Sequence, residues 1–141
     1  MKVKVMKLDA AAKIPKYAKN GDAGMDLHAV SLGIDQNNNY VYGTGLAMEI
    51  PEGHVGLIFP RSSISKTAHS LRNAVGVIDS GYRGELIFKF DINAYNSPVY
   101  EIGDRIGQIV IMPYPEVEFD EVFELSETSR GKGGYGSTGT S

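Results

Sequence analysis

Most of the side chains that could do chemistry fall in a few short, glycine-marked segments. In Asn73-Ala74-Val75-Gly76-Val77-Ile78-Asp79-Ser80-Gly81-Tyr82-Arg83-Gly84, an apolar run suited to a buried strand ends in a carboxylate, a turn and an aromatic ring. The chain is expected to double back there, leaving Asp79 and Tyr82 at one mouth. Upstream, Arg61-Ser62-Ser63 follows an apolar strand end; a guanidinium beside a hydroxyl and backbone N–H groups can hold a phosphate by charge-assisted bonds. Downstream, the glycines of Arg130-Gly131-Lys132-Gly133-Gly134-Tyr135-Gly136-Ser137-Thr138-Gly139 let backbone amides approach anionic oxygens, and Arg130, Ser137 and Thr138 add donors. Tyr135 is the one large ring in that tail and suits stacking on a planar base. No Gly-Lys-Ser/Thr opens a helix, which excludes a Walker A loop. Asp26 and Asp104 are further acids, and Gln108 offers both a donor and an acceptor. Taken singly, these segments read equally well as a solvated hairpin, a surface arginine with a capping serine, and a flexible tail.

Their order along one chain carries more weight. Ala23-Gly24-Met25-Asp26-Leu27, Pro60-Arg61-Ser62-Ser63, the hairpin, Gly103-Asp104-Arg105-Ile106-Gly107-Gln108 and the glycine-rich tail together resemble the five motifs of the trimeric dUTP pyrophosphatase (dUTPase) family, in the family's order and at about its spacing. The resemblance implies a mainly β, distorted jelly-roll-like barrel with at most one short helix. It also implies a homotrimer with sites shared between subunits, Mg²⁺ as cofactor, and hydrolysis of dUTP to dUMP and pyrophosphate by water attacking the α-phosphorus. Such an activity limits uracil incorporation into DNA and supplies dUMP for dTMP synthesis.

On this likeness Asp79 orients and deprotonates the water and meets the 3′-hydroxyl, while Tyr82 packs under the sugar and rejects ribose. The main chain of Gly76, Val77 and Ile78, with the Asn73 side chain, pairs with uracil. Arg61, Ser62, Ser63 and Gln108 contact phosphates, and Asp26 reaches the metal through water. Arg130, Tyr135, Gly136, Ser137 and Thr138 close over the ligand from a mobile arm. Asp104-Arg105 is expected to form a structural turn or an inter-strand ion pair. Ser63 stands where many members have glycine, and Tyr135 where phenylalanine is commoner. The dCTP deaminases share the fold and resemble this chain at Arg61-Ser62-Ser63 and Ile78-Asp79-x-Gly81, yet Lys89 occupies the position of their glutamate acid/base. A catalytically idle nucleotide sensor or protein-binding trimer is the alternative from another class.

The elements that must position these residues are short. At 141 residues the chain is expected to form one β domain over 1–125 with an arm over 126–141. Seventeen glycines, six prolines and the lack of any long helical period point to many strands and turns. Strands are expected over residues 2–8, with Val3 and Val5 on one face, over 27–32, over 40–50 with a bulge at Gly43 and Gly45, and over 54–60. Residues 13–20 read as a surface connection, and one or two helical turns fit within 63–71. Leu86, Phe88 and Phe90 share one strand face, and Asn96-Ser97-Pro98 turns the chain. Ile109-Val110-Ile111 reads as buried on both faces, and 116–120 as a half-exposed strand.

Zero cysteines exclude disulfides and thiolate chemistry and fit a reducing compartment, so the cytoplasm is the expected location, or the nucleus or host cytoplasm for a eukaryotic or viral source. The alternating N-terminus, Met1-Lys2-Val3-Lys4-Val5, argues against a signal peptide or membrane span. A net charge of −3 argues against a broad nucleic-acid surface, so polyphosphate binding falls to local cations. His28, His54 and His69 are too irregularly spaced for a zinc site.

Overall fold

The structure, a computed structural model, describes residues 1–91 and 98–139. Two antiparallel sheets face each other across one core. The first is built on the long strand β4 (Asn39–Glu49), which pairs with β7 (Glu85–Asp91) along one edge and with β3 (Ser31–Ile34) and then β1 (Lys4–Lys7) along the other. The second has the order β2 (Met25–His28), β8 (Arg105–Pro113), β5 (His54–Phe59), β6 (Gly76–Ile78).

Alternation in the sequence explains the core. Leu86, Phe88 and Phe90 of β7 point inward and are almost fully buried, against Tyr42 and Leu46 of β4 and Leu27, Ile58 and Ile109 of the opposite sheet. Burying each such side chain contributes about 1.5–3 kcal/mol. Where β4 carries its two glycines the register with β7 shifts between Gly43 and Ala47, and Gly45 takes φ +66°. That bulge leaves backbone groups without ladder partners. Buried Thr44 resolves two of them, donating to Leu86 O at 2.8 Å and accepting from Leu46 N at 3.3 Å, while the Glu85 carboxylate accepts from Gly45 N at 2.7 Å.

Three expectations need correction. The segment expected as one strand over 27–32 is two, β2 and β3, in different sheets, with Val30 N bonded to Gly43 O at the corner. Ile109 is buried, but Val110 is only half-buried, because its face of β8 has no layer above it within one chain. Residues 116–120 pair with no strand: Phe119 is 95% exposed and Phe123 fully exposed. Alternation there marks an apolar face that this subunit does not cover. The packed body therefore ends at β8, earlier than the composition change at 126, and every residue over 114–132 is exposed.

The helical turn expected within 63–71 is a single 3-10 turn, Ser62–Lys66. Asn96 and Ser97 of the expected turn lie outside the described residues. No helix is long and apolar enough to cross a membrane.

Candidate active site

The side chains of the first, second and fourth segments converge on one end of the second sheet. Asp26 of β2 lies opposite Gln108 of β8, and Gln108 opposite Phe59 of β5, so one rung brings the three strands together. Arg61, two residues beyond β5, donates from Nε to Asp26 Oδ1 at 3.1 Å. Arg105 donates from Nη1 to the other oxygen, Oδ2, at 3.3 Å. The inter-strand pair expected of Arg105 is thus present. Asp104 instead caps its own turn, its carboxylate accepting from Glu101 N at 2.7 Å.

Around this pair each group is held in place. Ser63 Oγ accepts from Arg61 Nη1 at 3.4 Å, so the serine that replaces a common glycine acts through the guanidinium. Ser62 opens the 3-10 turn, where the first N–H groups have no intrahelical acceptor. The Gln108 amide donates to Pro60 O at 3.0 Å and lies over Gly24, where a Cβ would collide with it. That contact explains why the first segment carries glycine two residues before its acid.

The third segment stands elsewhere. β6 is the edge strand of its sheet, paired only with β5, so the N–H and C=O groups on its free side have no strand partner. Gly76 packs against the Ile58 side chain, which a Cβ would strike. Asn73 spends its amide on β7, donating to Ile87 O at 2.9 Å and accepting from Lys89 N at 3.0 Å. It anchors the base of the hairpin, with one amide hydrogen and one oxygen lone pair left over beyond these two bonds.

Asp79 follows in the turn, exposed, with Tyr82 N donating to its carbonyl at 3.1 Å. The Tyr82 ring lies over Gly84, with its hydroxyl bonded to Glu85 O at 2.9 Å. Acid and ring are thus both exposed at the mouth of this one turn.

Within one chain that mouth is remote from Arg61. Ile78 lies opposite Gly56, so Asp79 leaves the sheet beside Val55, whereas Arg61 leaves it beyond Phe59. Six residues of strand separate them, roughly 20 Å. Between the two ends the outward face of the sheet is apolar: Met112 faces Val55 on one rung, and Val110, Leu57 and Val77 share the next.

The tail stays apart from both. Its turns are local, with Arg130 Nε bonded to Gly133 O at 2.8 Å and Ser137 N to Gly134 O at 3.0 Å. Tyr135 takes φ +53° and exposes its whole ring. Gly136, Ser137 and Thr138 follow in the same exposed turn.

Of the histidines, His54 Nδ1 lies 3.1 Å from Glu52 O and His69 Nδ1 2.7 Å from Asp91 O, while His28 Nδ1 and His69 Nε2 are buried without a hydrogen-bond partner. Among the described residues no cluster of three or more His, Cys, Asp or Glu could cage a metal.

The sequence model of the dUTPase family matches residues 10–139. The chain belongs to the dUTPase family. It is 42% identical to the deoxyuridine 5′-triphosphate nucleotidohydrolase of Corynebacterium glutamicum over 97% of this chain and 94% of that one. With the protein of the same name from Desulfitobacterium hafniense the identity is 44%, over 100% of this chain and 97% of that one. Among solved structures it is similar to the Staphylococcus bacteriophage 80alpha dUTPase with dUPNHPP, with TM-score 0.81 and 29% identity over 99% of each chain. A mutant dUTPase from phage phi11 of S. aureus, whose structure describes the coordination of a structural Mg(II) ion, gives TM-score 0.74 and 26% identity over 88% of this chain and 98% of that one. The jelly-roll-like β fold is thus the fold of the dUTPases.

Proposed function

We propose that this dUTPase-family chain hydrolyses dUTP to dUMP and pyrophosphate in sites shared between the subunits of a homotrimer. The observation that supports the reading is the division just described: the half-buried cluster of Asp26, Arg61 and Gln108 and the exposed hairpin of Asp79 and Tyr82 stand at opposite ends of one sheet, with an apolar face between them. A copy seated on that face brings its hairpin to the neighbour's Arg61, Ser62, Ser63 and Gln108. Beyond Tyr114, whose N–H donates to Gly53 O at 3.0 Å, the segment 115–125 and the arm after it make no hydrogen bond to the body among the described residues and are free to reach a further subunit. Each ligand is then enclosed by groups from several chains.

The free edge of β6 supports uracil recognition by main chain, with Gly76, Val77 and Ile78 offering donors and acceptors in a fixed register. Cytosine exchanges those roles and leaves buried groups unpaired, a loss that reaches about 10⁴-fold in selectivity. The Tyr82 ring supports the deoxyribose and leaves no room for a 2′-hydroxyl. Asp79 holds a water in line with the α-phosphorus and takes its proton as the new P–O bond forms. The bond from the α-phosphorus to the bridging oxygen breaks, and its electron pair leaves with pyrophosphate. Such a reaction demands positioning and charge neutralisation more than covalent chemistry. Arg61 and the first N–H groups of the 3-10 turn meet the phosphate oxygens, Gln108 stands beside the α-phosphate, and Tyr135 stacks on the base while Arg130, Gly136, Ser137 and Thr138 close the arm.

The residues fit Mg²⁺ carried largely by the substrate's own oxygens. One carboxylate is present, and each oxygen of Asp26 accepts one guanidinium hydrogen and keeps acceptor capacity for a metal-bound water. When bound, the ion neutralises charge on the phosphates. Lys89, whose ammonium pairs with Asp35 at 3.2 Å, supplies no acid in place of the deaminase glutamate. The same reading places the enzyme beside the nucleotide pool of the cytoplasm.

A pyrophosphate-release assay across dUTP, dCTP, dTTP and UTP tests the proposal. Release from dUTP alone is expected; ammonia release from dCTP would overturn it.

A further inference from the structure

The outward face of β2 borders an open recess of ≈ 570 Å³ lined by Asp26 and His28 together with Lys13, Lys16, Tyr17 and Arg105. His28 shares this face with Asp26 and sits opposite Arg105 across the β2–β8 ladder. The wall is set by the connection between β1 and β2, which is fixed from behind: Ile14, Pro15 and Tyr17 line an apolar cavity with Met25, Met48 and Ile111. Lys13 and Lys16 form no ion pair among the described residues, and both are exposed.

We propose that this recess is an anion subsite continuous with the Asp26–Arg61 cluster, in which Lys13, Lys16 and Arg105 hold the terminal phosphates of the nucleotide and then the pyrophosphate released from them. This rests on reading the Arg61 end as a triphosphate site. The argument is one of charge. The protein carries 17 acids against 14 lysines and arginines, yet here Lys13, Lys16, Arg105 and Arg61 surround a single carboxylate. Like charges gathered on a net-anionic molecule repel one another until an anion enters between them.

A phosphate chain gripped by Arg61 at one oxygen of Asp26 reaches Arg105 at the other, and Lys13 and Lys16 stand beyond. The recess thereby counts phosphates, favouring a triphosphate over a mono- or diphosphate.

The test uses the full chain, wild type against the double variant Lys13→Gln with Lys16→Gln, and as control the double variant Lys2→Gln with Lys7→Gln, which removes the same charge elsewhere. Calorimetric titration with inorganic pyrophosphate is expected to show about 10-fold or greater weakening in the recess variant only, as for loss of charge-assisted hydrogen bonds. Inhibition by pyrophosphate should weaken and KM for dUTP rise by a similar factor, while dUMP affinity is unchanged. Unaltered pyrophosphate binding, equal weakening for dUMP, or the same effect in the control would overturn the subsite. If wild-type protein binds pyrophosphate through these lysines but does not hydrolyse dUTP, the recess stands and the proposed activity falls. Hydrolysis of dUTP with pyrophosphate binding indifferent to the lysines is the opposite outcome.

Discussion

Asp26 shows how a residue's chemistry depends on what already holds it. With a guanidinium on each oxygen, it holds Arg61 and Arg105 in place, and under the proposed function only its remaining lone pairs are left for metal-bound water. Asp79 is the contrast: it is exposed in its turn, with no side-chain partner among the described residues, as its proposed role requires. Asp79→Asn keeps the shape and the hydrogen bond to a water but not the basicity. Turnover of dUTP should fall by about 10²–10⁴-fold with binding retained, since that is the usual worth of a positioned base. Wild-type hydrolysis by pure Asp79→Asn protein, measured beside calorimetric binding of a non-hydrolysable analogue, would show that another group does this work.

At the scale of the element, the arm and β4 make different demands. Deleting residues 130–141 removes turns that, among the described residues, make no hydrogen bond to the body, so the thermal melt should hardly move while dUTP turnover drops severely. Loss of folding on truncation would make the arm part of the core. β4 is instead locked by burial. Tyr42 is 1% exposed, its hydroxyl donates to Tyr100 O at 2.7 Å, and burial pushes its pKa up from 10.0 to about 12. A phenol whose folded pKa is raised favours the native state fully below the unfolded value, and that advantage is lost as pH rises through the folded one. Denaturant midpoints of the wild type should therefore fall between pH 10 and 12, more steeply than those of Tyr42→Phe, which pays about 1 kcal/mol at neutral pH for the lost hydrogen bond.

For the whole molecule the decisive quantity is the roughly 20 Å between Asp79 and Arg61 along the sheet. A shared site predicts complementation. Asp79→Asn and Arg61→Ala proteins are each expected to lose nearly all activity, but when they are unfolded together at equal concentration and refolded, every mixed trimer of the proposed kind should regain one interface with an intact acid and an intact guanidinium. About a quarter of wild-type activity should return. Recovery of none would mean that each subunit completes its own site. The exposed Val117, Phe119, Val122, Phe123 and Leu125 point the same way, because that much apolar surface left in water favours association.

The sequence by itself determined the strands, since period-two alternation is local: Leu86, Phe88 and Phe90 went to the core, and paired glycines marked the bulge in β4. It also determined the inventory of reactive groups and the family, because motif order is a property of the chain. Only the tertiary structure decided which groups meet. That Arg61 and Arg105 close on Asp26 while Asp79 stands at the far end follows from the pairing register of β5 with β6 and β8, set by packing between residues distant in sequence. Alternation over 116–120 predicted a strand where the chain pairs with none, Asn73 gave no sign that its amide serves β7, and Lys13 and Lys16 looked like an ordinary surface connection. In each case the deciding interaction reaches across space to another element, and local pattern carries no record of it.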